Sequence, residues 1–169
     1  MRSMNYVFAV DFETYYDDNC NIKRLGLEGY LQDDKFDAYL VSIVGNNGFE
    51  WIGHPSEFDW SYLEGAQLVS HNAEFDESVY YRGVEKGLWP PIMITAWICT
   101  ANMCTSLGLP RSLKGAMSKV FGVKVSKKVR SDMKGVMYSK LTQVEKDKVK
   151  EYCLEDSRQC LSLLLELVP

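Results

Sequence analysis

The chain has 169 residues, of which 46% are hydrophobic and 25% charged, the balance of an ordinary soluble globular protein large enough for one domain with a real core. No apolar run approaches the roughly 20 residues that a membrane span needs, and no apolar stretch follows Met1 and Arg2 as a secretory leader would require. The net charge of −4 argues at first against a nucleic-acid partner. Its distribution is uneven, however: the segment 111–134 holds Arg111, Lys114, Lys119, Lys124, Lys127, Lys128, Arg130 and Lys134 against Asp132 alone, so it carries +7 and the rest −11. Such a segment is either a solvated helix face and loop or a track for phosphates.

The five cysteines, Cys20, Cys99, Cys104, Cys153 and Cys160, are odd in number and form no Cys-x-x-Cys pair. A disulfide framework and a zinc site are both disfavoured, and the usage suits a reducing cytoplasm. Cys153 and Cys160 read as core packing on a helix. With His54 and His71 as the only histidines, a histidine-rich metal site is excluded.

No repeat or low-complexity linker interrupts the chain, so residues 1–169 are expected to form a single domain. Tyr6 to Phe12 is rich in β-branched and aromatic residues and reads as a strand. Ala38 to Val44 is a second strand, and Asn46-Asn47-Gly48 turns it into a third around Phe49 to Ile52. Leu68 to Ser70 is a short buried strand. Ala73 to Lys86 is a helix stopped by Gly87. Ile92 to Ile98 is a further strand, with a helix from Thr100. Ser112 to Phe121 is a helix closed by Gly122. The stretch 123–139 has no clear period and reads as a mobile loop. Thr142 and Glu145 form a capping box that opens a final helix running to about Leu167. Strands and helices in this order give an α/β fold in which helices flank a sheet.

Three segments carry candidate chemistry. On the first strand, alternation puts Val7, Ala9, Asp11 and Glu13 on one face and Phe8, Val10 and Phe12 on the other. Two carboxylates thus lie side by side where an apolar strand ends. They repel and raise each other's pKa unless a cation lies between them. On the last helix, Val149, Tyr152, Cys153, Asp156, Cys160, Leu163, Leu164 and Leu167 recur at spacings of three and four. Asp156 is the lone charge in that apolar stripe, and a charge facing a core needs a partner, an arginine or a metal. In Ser70-His71-Asn72-Ala73-Glu74-Phe75-Asp76, Asn72 and Asp76 share a helical face. Taken alone, Asn72 as an N-cap and Asp76 as a solvated side chain would also explain that segment. Together, four acids from three distant segments can converge at one sheet edge and hold oxygen-ligated divalent ions, two of which cleave phosphodiesters.

Asp11-Phe12-Glu13-Thr14, Asn72 to Asp76 and Tyr152-x-x-x-Asp156 resemble the three motifs of the DEDDy 3′–5′ exonucleases. That family has a ribonuclease H-like (DnaQ-like) fold and includes the proofreading domains of family A DNA polymerases. The resemblance covers nearly the whole chain. Asp11-Phe12-Glu13-Thr14-Tyr15-Tyr16 and Leu109-Pro110-Arg111-Ser112-Leu113 resemble bacteriophage polymerases in particular. The resemblance implies two divalent ions, Mg²⁺ or Mn²⁺, held by Asp11, Glu13, Asp76 and Asp156. It implies that Tyr152, with Glu13, positions the attacking water. It places Thr14 and Asn72, with His71 and Phe75 at motif positions, against the terminal nucleotide, although Phe75 also suits the core and His71 a structural part. Arg111 and Lys114 would meet the strand's phosphates. The histidine variant of the family has its base five residues before the last acid. That position is Glu151 here, which indicates the tyrosine variant.

The function expected from this resemblance is removal of 3′ nucleotides from single-stranded or frayed DNA, as proofreading for a DNA polymerase. The chain stops at Pro169 with no polymerase segment after the last motif, which fits either an excised domain or an enzyme working beside a separate polymerase. RNA is the alternative substrate, because no residue reports on a 2′-hydroxyl. A silent nucleic-acid- or polymerase-binding module is a third reading; it predicts a broken carboxylate position, whereas all four acids are present.

Overall fold

A computed structural model of the chain describes residues 6–124 and 128–168. Lys127 of the basic segment and the N-terminal Met1 and Arg2 lie outside the described residues. The elements are β1 (Val7–Thr14), α1 (Ile22–Gln32), β2 (Ala38–Gly45), β3 (Glu50–Gly53), β4 (Gln67–Ser70), α2 (Ala73–Glu85), β5 (Ala96–Cys99), α3 (Thr100–Ser106), α4 (Leu113–Phe121), α5 (Lys128–Asp132) and α6 (Gln143–Leu167). Single 3₁₀ turns lie at Pro55–Glu57, Trp60–Leu63 and Tyr138–Lys140.

The sheet has the order β3-β2-β1-β4-β5. β2 runs antiparallel to β1 and β3, while β1, β4 and β5 are parallel. The period-two pattern of β1 separates its two faces as expected. Phe8, Val10 and Phe12 pack with Val41, Ile43, Trp60, Leu63, Val79, Tyr80 and Trp89 on one side. Ala9 packs with Val44, Val69 and the α6 residues Leu154, Cys160, Leu161 and Leu164 on the other. The face of β1 that carries Asp11 and Glu13 is therefore the face that α6 covers. Burying each of these large apolar side chains contributes about 1.5–3 kcal/mol.

The hairpin turn behaves as its residues require: Gly48 takes φ 86°, and its amide donates to Gly45 O at 3.1 Å. Ser112 caps α4 by accepting from the Gly115 amide, and Gly122 ends that helix at φ 70°. Thr142 and Glu145 cap α6 reciprocally. Among the described residues, no helix is long and apolar enough to cross a membrane.

Several boundaries and elements differ from the expectation. β1 continues through Thr14, so both its carboxylates are on the strand. β5 begins at Ala96 rather than Ile92, because the backbone of 92–94 is satisfied elsewhere: the Ile92 amide donates to Tyr80 Oη, the Met93 amide to Glu64, and Met93 O accepts from Gly65. α1 was not foreseen; Gly26 (φ 70°) interrupts it and hides its period. Of the segment 123–139 expected as a mobile loop, residues 125–127 lie outside the described residues, and the part from Lys128 on holds α5 and the start of a 3₁₀ turn. Met133 is buried there against Tyr39, Leu40, Val149 and Cys153, and Tyr138 stacks on Tyr39 with ring centroids 5.1 Å apart.

Candidate active site

β1 pairs with β4 only over Val7–Ala9 and Gln67–Val69. Beyond that point the two strands part, and the backbone groups of β1 need other partners. Ser70 Oγ donates to Val10 O at 2.6 Å, and the Phe12 amide donates to Asp76 Oδ1 at 2.8 Å. A cleft opens at these C-terminal strand ends, the usual place for a ligand in an open α/β sheet. Its volume is about 230 Å³. Asp11, Glu13, Asp76 and Asp156 all line it, together with Tyr152, Thr14, Asn72, His71 and Phe75.

β1 supplies Asp11 and Glu13, α2 supplies Asp76 one turn after its start, and α6 supplies Tyr152 and Asp156 from the turn that covers β1. Asp76 is 2% exposed, so the reading of it as a solvated side chain does not hold. Burial, together with Glu13, Asp156 and Asp76, raises the Asp11 carboxyl well above the usual carboxylate range. Burial and the nearby Asp156 push Glu13 up to about 7. Asp76 is raised in the same direction, chiefly by burial. Burial also raises the Tyr152 phenol, with Asp156 adding to it, so this group stays protonated at neutral pH.

The remaining candidates fall into two groups. Tyr30 Oη donates its one proton to Tyr15 O, so Thr14 Oγ1 donates to Tyr30 Oη at 2.8 Å, which fixes the rotamer at the end of β1. Asn72 occupies the position before α2 but adopts the left-handed conformation (φ 77°, ψ 58°) and makes no side-chain cap. Its Oδ1 accepts instead from Arg111 Nη2 at 3.3 Å. Asparagine tolerates this conformation better than most residues. Phe75 is half-buried: it packs on the core and also lines the cleft. His71 Nε2 bonds Arg111 O at 2.7 Å, and Nδ1 bonds Thr100 Oγ1 at 2.9 Å. A carbonyl only accepts, so in the neutral ring Nε2 carries the proton. His71 and Arg111 thus brace the cleft wall. Lys114 lies on the exposed first turn of α4 and does not line the cleft.

Arg130 was counted among the basic residues but not singled out, and the structure brings it into the cleft with the acids. Burial works against its charge, but Glu13, Tyr152 and Asp11 outweigh it and hold the guanidinium protonated. α5 is pinned in place by the loop after β1. Tyr16 Oη donates to Arg130 O at 2.6 Å, the Gly135 amide donates to Tyr16 O at 2.7 Å, and Lys134 pairs with Asp18. Tyr16, Asn21 and Ile22 also line the cleft. A second unforeseen contact is Cys153: its Sγ lies 3.6 Å from Asp11 Oδ2. Nothing in the sequence marks either contact, since no local period links Arg130 to the acids or Cys153 to Asp11.

The donor set fits hard divalent ions. Carboxylates only accept, four of them line one cleft, and burial together with neighbouring carboxylates raises the pKa of Asp11, Glu13 and Asp76, a cost that cations would relieve. Asp11, Glu13 and Cys153 each bring a ligand atom within 4.8 Å of the others.

No family model and no curated protein matches the sequence. Among solved structures the chain superposes on the family B DNA polymerase from the hyperthermophilic archaeon Pyrobaculum calidifontis, with TM-score 0.67 and 16% identity, covering 96% of this chain and 24% of that one. It also superposes on the catalytic core of RRP6 from Trypanosoma brucei, with TM-score 0.59 and 16% identity, covering 95% of this chain and 40% of that one. The chain therefore spans well under half of either structure. The fold is ribonuclease H-like: a mixed five-stranded sheet flanked by helices, as expected. The likeness in structure is to a family B polymerase and RRP6, whereas the resemblance to family A and bacteriophage polymerases rests on the motifs.

Proposed function

We propose that this chain is a divalent-metal-dependent 3′→5′ exonuclease acting on single-stranded or frayed DNA ends, in proofreading for a DNA polymerase. The observation that carries the reading is the convergence of Asp11, Glu13, Asp76 and Asp156 from β1, α2 and α6 in one cleft, with Tyr152 beside them and Arg130 facing them.

In this reading Asp11, Glu13, Asp76 and Asp156 would hold two divalent ions. Bound there, the ions supply an activated water and charge stabilisation at the leaving oxygen. Tyr152, kept neutral by its surroundings, orients the water by donating or accepting one hydrogen bond, and Glu13 takes up its proton. The water oxygen bonds to phosphorus as the bond to the penultimate O3′ breaks; that O3′ takes a proton from solvent and remains as the new 3′-hydroxyl, and a nucleoside 5′-monophosphate leaves. Arg130 lies where its guanidinium can neutralise the phosphate's non-bridging oxygens, held there by the Tyr16 tie. Thr14, Asn72 and Phe75 face the terminal nucleotide, and His71 and Arg111 hold Asn72 in its left-handed turn. Lys114 and its basic neighbours on α4 attract the strand farther out, a contribution that salt screens.

The test is turnover of matched DNA and RNA oligonucleotides by wild type, Asp11→Asn and Asp156→Asn. Faster shortening of DNA, lost in both variants, is the expected result. Faster shortening of RNA would move the substrate to RNA with the same site. Equal turnover in the variants would overturn the site.

A further inference from the structure

Three fully buried polar side chains join β1, β2 and α6, and the proposed chemistry uses none of them. Ser42, Cys153 and Ser157 are 0%, 0% and 1% exposed. Ser42 Oγ donates to Cys153 O at 2.8 Å and shares a 2.5 Å hydrogen bond with Ser157 Oγ. Since the Ser42 proton goes to a carbonyl, the proton between the two hydroxyls comes from Ser157. Cys153 Sγ then reaches Asp11 O at 3.5 Å and Asp11 Oδ2 at 3.6 Å. Ser42 and Asp11 are cross-strand partners in the sheet. Cys153 is therefore tied to β2 at its carbonyl and to β1 at its thiol.

Beside them the interface between α6 and the sheet is packed with Ala9, Val44, Val69, Leu154 and Leu161. Packing alone is met by apolar residues there, without the desolvation of two hydroxyls and a thiol. Directional bonds supply what apolar packing lacks, a single register. They act at the turn of α6 that carries Tyr152 and Asp156, on the rung that carries Asp11. We infer that Ser42, Cys153 and Ser157 are positioning residues, locking α6 to β1 so that Asp11, Tyr152 and Asp156 meet in the geometry a divalent cation needs. This inference rests on the metal-dependent reading of the site.

The test is Mn²⁺ titration of the purified full chain, with free Mn²⁺ read by electron paramagnetic resonance and folding by thermal melts. Removing groups that orient metal ligands weakens metal affinity about 10- to 100-fold. Cys153→Ala and Ser42→Ala are expected to weaken Mn²⁺ binding by at least about tenfold, while Cys153→Ser, which keeps a donor, stays within about threefold of wild type. Ser157→Ala, which leaves the Ser42 bond to α6 intact, is the milder variant to read if either alanine variant fails to fold, and it is expected to fall between the two. Thr142→Ala, far from the site, is expected to lower the melting temperature with Mn²⁺ affinity unchanged. Wild-type Mn²⁺ affinity in Cys153→Ala and Ser42→Ala, or in Ser157→Ala where those two fail to fold, would overturn the inference and leave the three residues as packing. Wild-type protein that binds no Mn²⁺, or binds it equally after Asp11→Asn, would overturn the metal site itself and the inference with it.

Discussion

Asp11 and Glu13 stand two apart on a strand, and strand alternation alone put them on one face. That much was legible because the period is local and β1 is strongly apolar around it. Asp76 was ambiguous: its spacing from Asn72 fits a helix face of either kind, and its bond from the Phe12 amide, which β4 does not pair, joins residues 64 positions apart. The acids make two predictions. Replacing Asp11 by Asn removes a ligand and a repulsive charge together. Turnover is expected to fall about a thousandfold, the equivalent of several kcal/mol of metal stabilisation, while the metal-free protein melts at a higher temperature at pH 8. The second concerns pH. In the folded, metal-free chain Glu13 titrates near 7 instead of near 4.5, so the folded state holds more protons than the unfolded one between those values. Stability without metal therefore falls as pH rises from about 4.5 to about 7. Melts with EDTA are expected to show this loss, and Mn²⁺ to reverse it above pH 7. At Tyr152, Phe keeps the ring and removes one hydrogen bond near a charge. Turnover is expected to drop on the order of tenfold to a hundredfold, with Mn²⁺ affinity unchanged.

At the scale of elements, the capping box of α6, the Ser112 and Gly122 caps of α4 and the Asn-Gly hairpin were readable because each signal lies within a few residues. α1 was not, because Gly26 breaks its period. The segment from Lys128 to Tyr138 was not, because its order comes from packing on β2 and α6 and from ties to the loop after β1. Those ties set the place of Arg130, which no local pattern reveals. Arg130→Met keeps much of the side chain's length and removes its charge. It is expected to cut kcat/KM by about ten- to a hundredfold, the worth of a charged hydrogen bond, and Tyr16→Phe, which only loosens the tie, by less. Gly83 makes a separate prediction. A Cβ there would lie 1.8 Å from Trp89 Cζ2, and Trp89 stacks on Phe12 at 6.0 Å. Gly83→Ala is expected to destabilise the fold by about 1–3 kcal/mol, read by chemical denaturation.

At the scale of the molecule, the class of fold was readable from the order of strands and helices, and the candidate site from three motifs that the topology gathers at one end of the sheet. The charge pattern also has its place: an acidic chain brings Arg130 of its basic segment into the cleft, so, in the proposed reading, binding of single-stranded DNA is expected to weaken with salt. The most direct test of the central claim is a time course with a 5′-labelled single-stranded DNA in Mg²⁺, in Mn²⁺ and in EDTA. A ladder that shortens one nucleotide at a time from the 3′ end with either metal, stops in EDTA and is absent with Asp156→Asn is the predicted result. Shortening that persists in EDTA or in Asp156→Asn would contradict it.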